Sequence, residues 1–214
     1  MRGIIVKGMP LLVNEALWSG GMAVMNQCYS TRGLDVVAAF NIANTISQLA
    51  NVVFLSMGNA VGILMGQMLG AGIGEEQIRR DNKRMIRLSV VSCMACSVLL
   101  LAVAGLFPRI YNTNSEVRAI ATGMICITAV MMPINSCNNA MYFTLRSGGQ
   151  TGVTFVFDSG FVWAVCVPLA YCLSRFTGLS ILPMYAICAG LDIFKIFLGT
   201  YMLKKGTWIR RIVV

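Results

Sequence analysis

The chain has 214 residues, of which 57% are hydrophobic and only 12% are charged. Soluble chains carry about a quarter of charged residues, so this composition predicts a protein embedded in a membrane. Histidine is absent, which excludes histidine-based catalytic triads and metal sites. The net charge of +9 does not indicate a nucleic-acid partner, because most of the bases border apolar segments, as membrane proteins require.

Long apolar segments predict an all-α integral membrane fold, a six-transmembrane-helix bundle that forms one domain over residues 1–214. Each segment is long enough to cross a hydrocarbon layer of about 30 Å. In chain order, the predicted spans are residues 9–29, 36–70, 86–107, 117–145, 153–173 and 181–203. The basic start of the chain is similar to that of a signal peptide, but no small-residue cleavage pattern follows, so we expect the first helix to be retained.

Three segments have features of their own. The second span would be roughly 50 Å long as a helix, so it must tilt, bend or protrude from the membrane. The charged residues 75–87 are expected to form a loop or a surface helix. In the fourth span, Pro133 frees the carbonyl of Ala129 and predicts a kink.

The distribution of lysine and arginine predicts the orientation. Twelve of these bases lie at the two ends of the chain and in the links after the second and fourth spans, whereas the opposite links hold four. Because cytoplasmic loops are the basic ones, both termini are predicted to lie in the cytoplasm, with the bundle in the cytoplasmic membrane.

One face of the second span is polar in its first half and rich in glycine in its second. On a helical wheel these residues fall within an arc of about 120°. They are Asn41, Asn44, Gln48, Asn51, Gly58, Asn59, Gly62, Gly66 and Gly70. The four glycines recur at every fourth position and predict close helix packing or sliding. The amides face either partner helices, as hydrogen-bonding groups, or a wet cavity.

Acids within the spans are the candidates for binding a proton or a cation. An unpaired ionised carboxylate at the position of Glu15 would cost a few kcal/mol, so we expect it to be protonatable, ion-bound or paired. Asp158 has a similar position, although it is also close enough to the cytoplasmic boundary to be solvated. Asp192 and Lys195 are three residues apart and are expected to pair on one helix face.

The fourth span adds amides just beyond Pro133, namely Asn135, Asn138 and Asn139. Kinked helices with polar groups at mid-depth are where transporters build their sites. The eight cysteines mostly lie in apolar segments and are expected to be small core residues. Although Cys93 and Cys96 have the C-x-x-C spacing, they lie within a helix without a second pair, so no metal site is predicted.

These stretches together resemble the second half of a multidrug and toxic compound extrusion (MATE) transporter. The stretches that carry the resemblance are residues 8–15 (GMPLLVNE), 34–43 (LDVVAAFNIA), 58–72 (GNAVGILMGQMLGAG), 145–151 (LRSGGQT), 167–170 (VPLA) and 205–208 (KGTW). The resemblance covers essentially the whole chain. It implies one half of a twelve-helix MATE-type transporter, with an N-terminal six-helix half as partner, so that the chain would be a fragment, a truncated gene product or an assembling half.

The resemblance also implies a function. Members export cationic or amphipathic drugs and metabolites by antiport, with protons or sodium as the coupling ion and no further cofactor, and they are not enzymes. Glu15 matches the family's seventh-helix glutamate, Asn14 precedes it, and Asn41 matches a polar position of the eighth helix. Asn135 departs from the sodium-coupled branch, which carries an aspartate there. The alternatives are a lipid-linked precursor flippase and a truncated membrane module that does not transport.

Overall fold

The structure is a computed structural model that describes residues 2–149, 151–206, 208 and 209, and this part of the chain is helical without strands. The helices are α1 (Arg2–Ser30), α2 (Leu34–Gly70), α3 (Glu75–Ala104), α4 (Ser115–Ser147), α5 (residues 151–176) and α6 (Ile181–Lys205). A single 3₁₀ turn, Phe107–Ile110, precedes α4. Four residues used in the sequence analysis lie outside the described residues. They are Arg210 and Arg211, which count among the bases at the end of the chain, and Gln150 and Thr207, which belong to the stretches that carry the resemblance.

Five of these helices, α2 to α6, are long and apolar enough to cross a membrane. The structure therefore supports a helical membrane bundle. The first helix, α1, has 29 residues but is not among the five, so its span stays a prediction. The second span is one uninterrupted helix of 37 residues, the longest described.

The charged residues 75–87 are helical and continuous with the third span. Glu75 and Glu76 lie in the first turn of α3, where the amino-terminal end of the helix dipole favours acids. At the other end, α3 stops at Ala104 rather than at residue 107 as predicted, and Pro108 lies in the 3₁₀ turn that follows. The side chain of Asn114 caps α4 by accepting a 2.7 Å hydrogen bond from the backbone amide of Val117.

The central helix is α4, which packs against α2, α3 and α6, while α1 packs mainly against α5. Pro133 lies inside α4 and leaves the carbonyl of Ala129 without its helical donor. The hydroxyl of Ser97 on α3 donates a hydrogen bond to that carbonyl. The helix therefore continues through the proline, because a neighbouring helix supplies the missing donor.

The fifth helix contains two segments that the sequence did not predict. Between the α-helical parts Thr151–Phe155 and Val167–Phe176 lie two π-helical segments, Val156–Gly160 and Val162–Cys166. The second precedes Pro168, which cannot donate to the carbonyl four residues back. The first contains Asp158.

Candidate functional site

Polar and charged side chains from α1, α4, α5 and α6 form one connected cluster inside the bundle. We call it the charged cluster. It consists of Asn14, Glu15, Tyr142, Arg146, Asp158, Ser159 and Lys195. Of the residues predicted from the sequence, it brings together Asn14, Glu15 and Asp158. The remaining members were not predicted as site residues.

Glu15 is paired at the accessible end of this cluster. Its Oε1 atom accepts a hydrogen bond from the Tyr142 hydroxyl at 3.1 Å and forms a salt bridge with Arg146 Nη1 at 3.3 Å. The glutamate side chain is 51% exposed and that of Arg146 is 34% exposed. The sequence left three states open for this acid, and the structure shows the paired one.

Asn14 connects Tyr142, the hydrogen-bond partner of Glu15, with the buried Asp158. Its side chain is buried, and its Nδ2 atom donates to the Tyr142 hydroxyl at 3.4 Å and to Asp158 Oδ2 at 3.5 Å. The Ser159 hydroxyl lies 2.7 Å from the backbone carbonyl of Asn14 and 2.8 Å from its Oδ1 atom. The amide of Asn14 thus has partners on both α4 and α5, which fixes its orientation.

The buried end of the cluster is an ion pair between α5 and α6. Lys195 Nζ lies 3.0 Å from Asp158 Oδ1, and the two side chains are only 11% and 14% exposed. The expected pairing of Lys195 with Asp192 is therefore wrong. The long lysine side chain reaches across to α5, where Asp158 lies in the π-helical segment. The backbone carbonyl of Asp192 accepts a 2.8 Å hydrogen bond from the Asn138 side chain.

The predicted amides of α2 are not part of this cluster. Asn41, Asn44 and Gln48 are exposed on the surface of the bundle. Asn41 also lines an open cleft of about 350 Å³ between α1 and α2, together with Asn26 and Gln27. In the described part of the chain these amides therefore do not bind partner helices, which leaves them accessible to whatever covers this face.

The amides of α4 differ among themselves. Asn135 and Asn139 are half-buried, whereas Asn138 is 5% exposed and bonded to α6. The Oδ1 atoms of Asn138 and Asn139 are buried and have no hydrogen-bond donor among the described residues. In this conformation Asn138 joins helices within the bundle and does not line an open surface.

The four glycines of α2 also divide into two pairs. A Cβ atom on Gly58 would collide with Asn139 and Phe143, and one on Gly62 would lie 3.2 Å from Phe143. Beyond the adjacent residues and backbone of α2 itself, no described atom lies within 4 Å of the corresponding positions at Gly66 and Gly70. Close packing against α4 thus uses the first two glycines only.

The described residues hold no group of three or more acids and cysteines that could bind a metal ion, and the eight cysteines are free thiols. The sequence did contain a signal for the missed partners of Glu15. Tyr142 and Arg146 are four residues apart and so share one face of α4. The link to Glu15, however, spans 127 residues and depends on helix packing.

Comparison with known proteins shows the family of the chain. The MatE family model matches residues 10–172, which is more than half of the chain. The chain belongs to the MatE family. Proteins of this family are transporters rather than enzymes. The matched region contains the charged cluster except for Lys195.

The curated relatives that the chain matches are longer than the chain itself. It is 24% identical over 178 residues to "Probable multidrug resistance protein YoeA" of Bacillus subtilis, an alignment that covers 83% of this chain and 38% of the relative. It is 28% identical over 143 residues to "Multidrug resistance protein PmpM" of Pseudomonas aeruginosa, covering 66% and 30%. It is 29% identical over 178 residues to "Probable multidrug resistance protein NorM" of the same species, covering 81% and 36%. The aligned part of the chain thus spans about a third of each of these relatives.

Proposed function

We propose that this chain is the C-terminal half of a multidrug efflux transporter that exports cationic or amphipathic compounds in exchange for protons or sodium ions. Its partner is an N-terminal six-helix half, and both termini lie on the cytoplasmic side of the cytoplasmic membrane. The names of the relatives support the substrate class. Their greater length supports the partner half.

The observation that carries this proposal is the state of Glu15. Its carboxylate is half exposed, and its described partners are one hydroxyl and one guanidinium, both bonded to the same oxygen atom. An acid that is accessible and held by a displaceable base can exchange that base for a proton, a sodium ion or an organic cation. Mutual exclusion of such ligands is the minimal requirement of antiport, because their differential affinities shift the population of the two facing states.

The exposed amides of α2 support a substrate cavity between two halves. Transporters place such cavities at the interface of repeated bundles, near the midplane. Asn41, Asn44 and Gln48 lie on the open face of this bundle, where the second half would complete the wall. Asn135 and Asn139 are half-buried and are proposed as additional lining groups in the assembled protein.

The flippase alternative requires cationic side chains that can hold a pyrophosphate headgroup. Lys195 and Arg146 are the bases of the charged cluster, and each is already paired with an acid. The buried pairing of Lys195 with Asp158 favours the efflux hypothesis over the flippase.

The test measures efflux of the cationic dye ethidium from proteoliposomes that contain the chain together with a six-helix N-terminal half, under an imposed proton or sodium gradient. Glu15→Gln keeps the size of the side chain but cannot titrate, so gradient-driven efflux should fall to background. Glu116→Gln is the matched control, because Glu116 is exposed in the first turn of α4 and has no described ion pair. Undiminished, gradient-dependent efflux by Glu15→Gln would place the coupling elsewhere, and absent efflux by the unsubstituted protein would favour a module that does not transport.

A further inference from the structure

The amino-terminal part of α3 carries four exposed bases on one face, which we call the basic face. At 100° per residue they fall within an arc of about 100°. They are Arg80, Lys83, Arg84 and Arg87. Among the described residues, only Arg84 of these four forms an ion pair, at 3.4 Å from Asp81, and its side chain is still 77% exposed. The other three bases are therefore available to a ligand from outside the bundle.

The remaining base of this segment, Arg79, is turned toward the bundle. It forms a salt bridge with Glu75 at 2.7 Å and donates hydrogen bonds to the backbone carbonyls of Leu203 and Lys204 at the end of α6. Arg79 thus fastens the start of α3 to the end of α6. The contrast shows that the basic face is a surface feature and is not needed to hold these two helices together.

The same face of α3 becomes apolar beyond the bases. Val91, Met94 and Val98 fall within the same arc and are 63%, 53% and 65% exposed. Because α3 is long and apolar enough to cross a membrane, exposed apolar side chains on it are suited to contact with lipid acyl chains. One face of this helix therefore combines a charged end with an apolar continuation, as a phospholipid molecule does.

Distances along α3 place the bases at the level of lipid headgroups. Residues 88–104 are roughly 25 Å long as a helix, close to the thickness of about 30 Å of the hydrocarbon layer. Arg87 lies at the boundary of this layer, and the other three bases follow within about 10 Å. A headgroup layer is about 5–8 Å thick on each side. The exposed acid Glu76 lies roughly 16 Å from Arg87 along the axis, beyond the headgroups.

We propose that the basic face binds the headgroup of an anionic phospholipid such as phosphatidylglycerol, whose acyl chains lie along Val91, Met94 and Val98. Guanidinium and ammonium groups donate hydrogen bonds to the phosphate, and a guanidinium can bind it with two parallel bonds. Clusters of four or more bases at the end of a membrane helix suit negatively charged lipids. The site is independent of transport and can be tested by binding alone.

The test measures equilibrium binding of radiolabelled phosphatidylglycerol and phosphatidylcholine, with identical acyl chains, to the purified and delipidated full chain in detergent. The unsubstituted protein should bind phosphatidylglycerol more tightly. Lys83→Gln with Arg87→Gln should weaken this binding by roughly 10- to 30-fold, since each base near an anionic lipid contributes about fivefold. Binding of phosphatidylcholine should not change. Arg109→Gln with Arg175→Gln is the matched control, because it removes two exposed bases at the opposite end of the bundle.

Two further measurements separate charge from fold and lipid from free anion. Lys83→Arg with Arg87→Lys keeps both charges and should bind phosphatidylglycerol like the unsubstituted protein. Raising the salt concentration should weaken binding to the unsubstituted protein, because exposed charges are screened. Excess inorganic phosphate should displace little of the lipid, since it lacks acyl chains.

Several results would overturn the proposal. They are equal binding of the two lipids by the unsubstituted protein, an unchanged preference in the double glutamine variant, or an equal loss in the matched control. Binding of phosphatidylglycerol that does not depend on salt would also overturn it, and this measurement needs no variant. Ready displacement by inorganic phosphate would show a site for free anions instead of lipid. Loss of ethidium efflux with lipid binding intact would count against the proposed function and leave this site standing.

Discussion

At the scale of single residues, Tyr142 connects the accessible acid with the buried ion pair. Its hydroxyl donates to Glu15 and lies 3.4 Å from the amide nitrogen of Asn14, which in turn reaches Asp158. A change in the protonation or pairing of Glu15 can therefore affect Asn14 and Asp158 through the hydroxyl of Tyr142. Hydrogen-bonded side chains of this kind reinforce one another in a low-dielectric interior.

Tyr142→Phe removes this hydroxyl and keeps the ring. The hydroxyl makes two hydrogen bonds, and each contributes about 0.5–1.5 kcal/mol. We therefore expect the free energy of unfolding to decrease by about 1–3 kcal/mol and the rate of efflux to fall by about tenfold or more. Ethidium efflux and thermal unfolding measure the two effects. Tyr171→Phe is the matched control, because Tyr171 is 50% exposed and its hydroxyl has no described partner. Equal behaviour of the two variants would contradict a connecting role for Tyr142.

The sequence allowed the acids to be predicted but not their partners. Glu15 and Asp158 attract attention because ionised groups are expensive within apolar spans. Their partners depend on packing between helices far apart in the chain, and local spacing misled us for Lys195, which lies three residues from Asp192 but pairs with Asp158.

At the scale of helices, five of the predicted apolar segments overlap helices that are long and apolar enough to cross a membrane, whereas departures from α-helical geometry could not be predicted. The π-helical segments of α5 produce no recognisable spacing of apolar residues in the sequence. Only Pro168 marks a place where the regular hydrogen bonding must change. The four-residue spacing of glycines on α2 likewise predicted a packing face but not where the contact with α4 ends.

Alanine substitutions in the two pairs of glycines on α2 are predicted to change the stability of the protein in opposite directions. Gly58→Ala should destabilise the protein by about 1–3 kcal/mol, because its methyl group meets Asn139 and Phe143 on α4. Gly66→Ala should stabilise it by about 0.5–1 kcal/mol, since space is open there and alanine favours a helix. Thermal unfolding of the two variants in detergent compares them directly. If both shift Tm in the same direction and to the same extent, the described packing of α2 on α4 is wrong.

At the scale of the whole molecule, the bundle has one face that is polar without a described partner, formed by the amides of α2. The central position of α4 and the pairing of α1 with α5 account for the charged cluster, but no residue in the described part of the chain covers Asn44 or Gln48. This face is where we place the second half of the transporter.

The proposed orientation of the bundle rests on its basic links and can be tested by fusion. An alkaline phosphatase domain, which is active only outside the cytoplasm, should be inactive when attached after Val214 and active when inserted in the link between α3 and α4. The expected difference comes from the bias of lysine and arginine toward one side of the membrane. Phosphatase activity after Val214, with the insertion silent, would reverse the proposed orientation.

The central claim is that a transported cation and the coupling ion exclude each other at Glu15. Equilibrium binding of radiolabelled tetraphenylphosphonium to the assembled two-half protein, over a series of pH values and sodium concentrations, tests it most directly. The account predicts that the apparent Kd rises as proton or sodium concentration rises, and that Glu15→Gln removes this dependence while Glu116→Gln keeps it. An affinity that stays constant across the series in the unsubstituted protein, or an unchanged dependence in Glu15→Gln, would contradict the account.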